Sequence, residues 1–209
     1  MKTACAAFER SAGTNSILTI KTIITMADWA TTNYVIEGSD EDLKKISNAI
    51  KNHQKSENAS DNWEGDILKA LGISFDGKTY TRGFLWPDTL EENDGCISFM
   101  AEEAWGVTDF AGELKKAMPN ISIFWCSEEP NNGYYATNDS KGRHFTERFF
   151  AEVCINDEPQ SEYFSDEKSA REWIEKLTGC KNYDEYDAFG EDNDDYITFH
   201  SFSIVNYPK

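Results

Sequence analysis

Five cysteines, Cys5, Cys96, Cys126, Cys154 and Cys180, and three histidines, His53, His144 and His200, are the side chains here with metal-binding or nucleophilic chemistry. An iron–sulfur cluster takes four closely spaced thiolates, and a zinc site takes Cys and His in short spacings. These cysteines are spread widely along the chain and each histidine lies in a separate segment, so no metal, cluster or other cofactor is expected. Cys126 and His144 are the one Cys/His pair that neighbouring strands would bring together as nucleophile and base; with Cys154 they could converge as metal ligands, although ordinary sheet positions are the simpler reading. Cys126 sits in the apolar run Ile121–Glu128 between Trp125 and Ser127, which favours a buried, inert thiol. The chain holds no GxSxG, P-loop, GxGxxG or HExxH motif.

Paired carboxylates occur at Glu102-Glu103, Glu128-Glu129 and Asp194-Asp195. Glycosidases place two carboxyls about 5–10 Å apart in a cleft, but 38 acidic residues make adjacent acids common, and a solvated face is the simpler reading. Asp184–Asp195 (DEYDAFGEDNDD) fits no frame of a calcium-binding EF-hand loop and reads as a mobile acidic loop. The enzyme alternative is a small cytoplasmic protein whose cleft gathers His144, a cysteine and two carboxylates.

Those 38 acids face 20 Lys and Arg, for a formal charge of −18. Aromatics make up 13% of the chain, and disordered acidic chains lack them. A folded domain is therefore expected, with a surface that repels nucleic-acid backbones and anionic membranes. No apolar run is long enough to span a bilayer. Trp86 before Pro87 and Trp105 before Gly106 sit at element ends, where half-exposed rings suit protein contacts. Trp86, Trp105, Glu128 and Glu129 are the candidate protein-contact residues.

The pattern around these residues predicts alternating elements. Thr32–Gly38 reads as a strand, and Ser39 with Asp42 as a capping box opening a helix over 40–52. A polar loop spans 53–62. A short helix over Trp63–Leu71 closes at Gly72. Thr79–Trp86 reads as a strand stopped by Pro87, and Gly95–Ala101 as the next. Thr108 caps a helix over 109–118. Ile121–Glu128 reads as a central strand, with Ile121, Ile123 and Trp125 on one face. Gly133–Thr137 and Phe145–Ile155 follow as a meander. Ser165 caps a helix over 166–178, on which Trp173, Ile174 and Leu177 are buried. Tyr196–Val205 is the last strand. The order through residue 128 is β, α, helical insert, β, β, α, β.

Residues 1–25 differ from the rest. Lys2, Arg10 and Lys21 against Glu9 put +2 on this segment and −20 on the remainder. Glu9 and Arg10 interrupt any signal-peptide core. The segment reads as a non-native or disordered extension, with Met26 as a plausible start and 26–209 as one domain. Reduced cysteines and no secretory signal point to the cytoplasm.

Ala27–Gly38 (ADWATTNYVIEG) and residues 98–150 carry a resemblance. Ala104-Trp105 follows a strand, a helix ends in Met118-Pro119, and a strand leads into Ser127-Glu128-Glu129. This stretch resembles the ferredoxin-like domain of YubB-like proteins from plasmids, phages and conjugative elements. The resemblance implies an α+β fold: a split βαββαβ core with a helical insert and additional antiparallel strands, helices on one face of the sheet. It carries no catalytic residue. The expected protein is a non-enzymatic accessory of a mobile element, a monomer or weak homodimer that binds a protein partner. A narrower form is nucleic-acid mimicry, with carboxylates occupying a partner's DNA groove.

Overall fold

A computed structural model describes residues 28–54, 63–190 and 194–206. The extension over residues 1–25, residues 55–62 of the polar loop and residues 191–193 of the acidic run lie outside them. The first strand, β1 (Trp29–Glu37), alternates strictly: Ala30, Thr32, Tyr34 and Ile36 are buried, and their neighbours point the other way. Ser39 opens α1 (Asp40–Gln54) as the sequence predicts; its hydroxyl accepts the Asp42 N–H at 3.2 Å and donates to the Asp42 carboxylate at 2.8 Å. The second helix, α2 (Trp63–Ala70), gives way to Gly72, whose φ is 75°. Glycine takes this left-handed closure without strain.

Next come β2 (Gly83–Asn93), β3 (Cys96–Ala104), α3 (Phe110–Ala117), β4 (Ser122–Glu129) and β5 (Tyr134–Thr137). These strands form one sheet in the order β2-β3-β1-β4-β5, antiparallel at every step. Its even-numbered β1 face packs on Leu43, Ile46, Ile50, Ile67, Leu68, Phe110 and Leu114, so α1, α2 and α3 share one side. Pro87 does not stop β2. That strand is the sheet edge, where a missing N–H is tolerated, and the register slips between Trp86 and Glu91. Thr89 bridges the gap: its hydroxyl accepts the Met100 N–H at 2.8 Å and donates to the Trp86 carbonyl at 2.6 Å.

The chain then departs from a single meander. A second, three-stranded antiparallel sheet is built from β6 (Phe149–Ile155), β7 (Glu158–Phe164) and β8 (Tyr196–Ser201), with β6 central. Strand β6 starts at Phe149 rather than Phe145 because Asp139 gathers the preceding loop. Its carboxylate accepts the N–H groups of His144 and Phe145 at 2.7 and 3.0 Å, and the Arg148 guanidinium donates to the Asp139 and Phe145 carbonyls. The last strand also divides. Phe202 is buried between β8 and a short strand β9 (Ser203–Ile204), which pairs parallel to β5 and makes the first sheet six-stranded and mixed. The fold is α+β with two sheets. The second sheet covers the first at β4 and β5 through Cys126, Tyr135, Phe150 and Phe202. Strand β4 is therefore central and covered on both sides, with Trp125 facing the helices and Cys126 the second sheet.

Helix α4 (Glu167–Thr178) packs Ala170 and Ile174 over Ala151 and Val153 of β6. Its cap is Asp166 rather than Ser165: the Asp166 carboxylate accepts the Ser169 N–H at 2.9 Å. The acidic run is not all loop. Asn182 caps α5 (Tyr183–Ala188), which buries Tyr186 beside Ile174 and Phe199. Trp173, expected as the anchor, is only partly buried against Phe164, with ring centroids 5.8 Å apart. Ile174 holds that place instead. Urea unfolding of Ile174→Ala is expected to show a loss of about 2–5 kcal/mol, and Trp173→Ala a smaller one. The reverse order would mean that the helix is anchored by its rim.

Candidate docking surface

Side chains alternate across a strand, so the face of the first sheet turned away from α1–α3 is fixed by register. Phe84, Glu102 and Thr31 form one row across β2, β3 and β1, and Trp86, Met100 and Asn33 the next. Trp29 stands beside them, opposite Ala104. The second sheet covers β4 and β5 and leaves this corner open: Trp29 and Trp86 are each 40% exposed and Trp105 is 52% exposed. The rings are in contact. Trp29 lies 5.4 Å from Phe84, and Phe84 5.6 Å from Trp86, centroid to centroid. The Arg82 guanidinium sits 5.0 Å over the Trp105 ring and 6.0 Å from that of Trp29. Both distances suit a cation–π contact.

Trp105 is held in an unusual backbone state. Its φ is 58°, followed by Gly106 at 92°. A bulky residue in the left-handed region costs about 1–3 kcal/mol and persists only where its surroundings enforce it. They do so here. Trp105 N–H donates to the Asp28 carbonyl at 2.8 Å, and the Tyr80 hydroxyl donates to the Ala104 carbonyl at 2.5 Å. The Asp109 carboxylate accepts the Tyr80 N–H at 2.7 Å, and the Asp109 N–H returns to the Tyr80 carbonyl at 2.7 Å.

Directly beneath this turn lie two fully buried carboxyls, Glu64 of α2 and Glu103 of β3. Glu103 Oε1 accepts the Tyr34 hydroxyl at 2.9 Å and the Thr108 N–H at 3.0 Å. Thr108 Oγ1 lies 2.9 Å from Glu103 Oε1 and 2.6 Å from Glu64 Oε2. A hydroxyl has one proton to give, so one of these two contacts needs a proton from a carboxyl. Burial pushes the Glu64 carboxyl well above its usual range, the Glu103 charge pushes it further, and the Thr108 bond opposes them. The bond geometry and the burial of Glu64 both favour its protonated form.

No match is returned by protein-family models, by curated proteins or by solved structures. The site must be judged on its own geometry. Trp86 and Trp105, singled out from sequence, meet at one corner, and Trp29, Arg82 and Phe84 join them. The signal that reveals Trp29 is the two-residue alternation that puts it on the same face as Phe84 and Trp86. Glu128 is partly buried and accepts the Tyr163 hydroxyl at 2.7 Å, so it ties the two sheets together. Burial pushes its carboxyl up and the Tyr163 bond opposes this. Glu129 is 5% exposed and accepts the Asn132 amide. Its side chain turns into the protein.

Cys126 is buried, and His144 has Glu37 as its ring partner. Burial, followed by the charges of Glu128 and Glu147, pushes the Cys126 thiol up to about 12, far from the thiolate that reactivity needs. His144 Nε2 lies 2.8 Å from Glu37 Oε1, which also takes Arg143 at 2.9 Å, and its ring packs 4.8 Å from Phe124. Cys154 lies on β6 of the other sheet. Among the described residues no group of three His, Cys, Asp or Glu is placed to hold a metal, and no helix is long and apolar enough to cross a membrane.

Proposed function

We propose that this chain is a non-enzymatic protein-binding module that docks its partner on the Trp29–Arg82–Phe84–Trp86–Trp105 corner. The observation that carries the reading is the exposure of three clustered tryptophans, two of them under the Arg82 guanidinium, with Trp105 held at positive φ. Trp and Arg dominate the energetics of protein interfaces, and Met is enriched there too. Glu102 and Asn33 supply a polar rim, and the charge of −18 steers basic proteins toward the surface. An aromatic corner favours this over mimicry of a nucleic acid, which needs rows of exposed carboxylates. The strand order β2-β3-β1-β4, antiparallel throughout, with α1 and α3 as crossovers and α2 inserted, supports a ferredoxin-like split βαββαβ core. That core is what the resemblance to YubB-like proteins of mobile elements implies. Free thiols at Cys96, Cys126, Cys154 and Cys180 suit the cytoplasm.

The test is retention of partner proteins on immobilised native chain, compared with Trp86→Ala and Trp105→Gly. Glycine suits positive φ, so the second change removes the ring without straining the turn. Each is expected to weaken retention about 30-fold, equivalent to about 2 kcal/mol, with the melting temperature nearly unchanged. Undiminished retention by both variants refutes the reading.

A further inference from the structure

The turn that presents Trp105 is not a free surface loop. Its first residue follows Glu103 directly, and its far end, Thr108, is bonded to both buried carboxyls by its hydroxyl and to Glu103 by its N–H. Thr108 Oγ1 also accepts the Phe110 N–H at 3.2 Å, which begins α3. Both ends of this short loop thus rest on one pair of buried carboxyls. Glu64 joins that pair from α2 and lies against β2. A methyl placed on Gly83 would stand 2.6 Å from its Cδ and Oε1, so β2 is pressed against it. Glu64 Oε1 and Glu103 Oε2 are buried and have no hydrogen-bond donor. A second negative charge in this space would leave buried carboxylate oxygens without a donor, which is costly.

The titratable and charged groups around the pair come from every neighbouring element. Tyr34 faces it from β1. Tyr80 and Arg82 face it from the segment entering β2; burial, set against Arg82, raises the Tyr80 phenol, and Glu64 and Glu103 raise it further. Tyr134 on β5 is raised by burial and then by Glu103 and Glu129. The cation in this set, Arg82, lies over the tryptophans rather than on the carboxyls.

We propose that Glu64 and Glu103 share one proton that locks the 104–109 turn, and that loss of this proton releases the turn and dismantles the docking corner. The proposal rests on the docking reading for its consequence but not for its mechanism. With one proton, Thr108 bridges an acid and a carboxylate and Trp105 stays at its strained φ. With none, like charges meet in a buried site, Thr108 can satisfy one carboxylate alone, and the turn relaxes. The sign follows from the raised Glu64 carboxyl. Its stabilising effect is complete below the ordinary value of 4.5 and is lost as pH rises through the folded value. The corner therefore opens on the alkaline side.

The experiment uses the full chain labelled with 5-fluorotryptophan, followed by fluorine NMR against pH, alongside carbon NMR of the glutamate carboxyls. In the native chain the Trp105 resonance is expected to shift in one transition whose midpoint equals that of Glu64, while the Trp173 resonance on α4 stays still. In Glu64→Gln, whose amide keeps the contact with Thr108, the Trp105 transition should vanish. In Glu103→Gln, which removes the neighbouring charge, it should move to lower pH. A Trp105 resonance without a transition overturns the proposal, as does one that still titrates in Glu64→Gln. Trp173 shifting at the same pH would also overturn it, because that signals global unfolding. Retention by Trp86→Ala and Trp105→Gly at fixed pH tests the docking reading separately, so the two can fail independently.

Discussion

Gly83→Ala is expected to cost about 3 kcal/mol or more and to leave the protein marginally folded. The new methyl would meet Glu64 at 2.6 Å on Cδ and Oε1 and at 2.8 Å on Oε2. Real Cβ atoms do not approach so closely, so something must move. Glu64 is the far end of a side chain, but it is wholly buried and bonded to Thr108 at 2.6 Å. Swinging it aside would break the bridge to Glu103 and bury an unpartnered carboxyl elsewhere. Moving β2 instead would disturb its ladder with β3 at Gly83–Glu103. The check is urea unfolding of the single variant and of Gly83→Ala combined with Glu64→Ala. The double variant should recover much of the loss, because the second change removes the atoms that the methyl strikes. Additive losses would show that the glycine serves the strand and not the carboxyl pair.

Tyr135→Ala is the other change expected to act strongly, at about 3–5 kcal/mol. Tyr135 is the centre of the junction between the sheets. Its ring stacks 5.2 Å from Phe150 and 4.8 Å from His200, and meets Phe202 edge-on at 5.4 Å. Removing it takes the common partner from three rings, so the second sheet should loosen from the first while each keeps its own ladder. Hydrogen exchange should quicken across β6 and β8 before β1 and β3. Equal quickening everywhere would mean that the sheets unfold as one unit. The same junction is acid-sensitive. Burial lowers the His200 imidazole below its usual 6.5, so its neutral form is the folded one. The stability it lends is present above that value and is lost as pH falls through the window below it. His200→Phe should make the junction less sensitive to acid, read as a flatter melting temperature against falling pH.

Local chemistry makes much of the first sheet legible. The Ser39 box and the Gly72 closure are decided by neighbours close in sequence, and the structure has them where the sequence puts them, while the first strand starts at Trp29, three residues earlier than the sequence suggests. The errors arise where distant contacts decide. Pro87 reads as a stop, but an edge position and the Thr89 hydroxyl let β2 pass through it. Phe145 reads as strand, but Asp139 takes its N–H. The run from Asp184 reads as solvated loop, but Asn182 caps a helix and Tyr186 finds a core. The candidate site divides in the same way. Trp86 and Trp105 are visible because tryptophans at element ends are conspicuous. Glu103 and Glu129 look like two more acids in an acidic chain, and only long-range packing turns each inward.

The position of β9 has a consequence for how the chain is made. Its residues, Ser203 and Ile204, close the outer side of β5, whose own residues end at Thr137. A ribosome releases β5 long before it releases β9. In that interval the nascent first sheet presents a row of unsatisfied backbone groups, which is the kind of edge that recruits strands from other molecules. Strands β6, β7 and β8 emerge during the same interval, and Phe202 joins the last of them directly to β9. Completion of the newer sheet thus delivers the segment that seals the older one. The vulnerable period ends only when Ser203 and Ile204 have emerged.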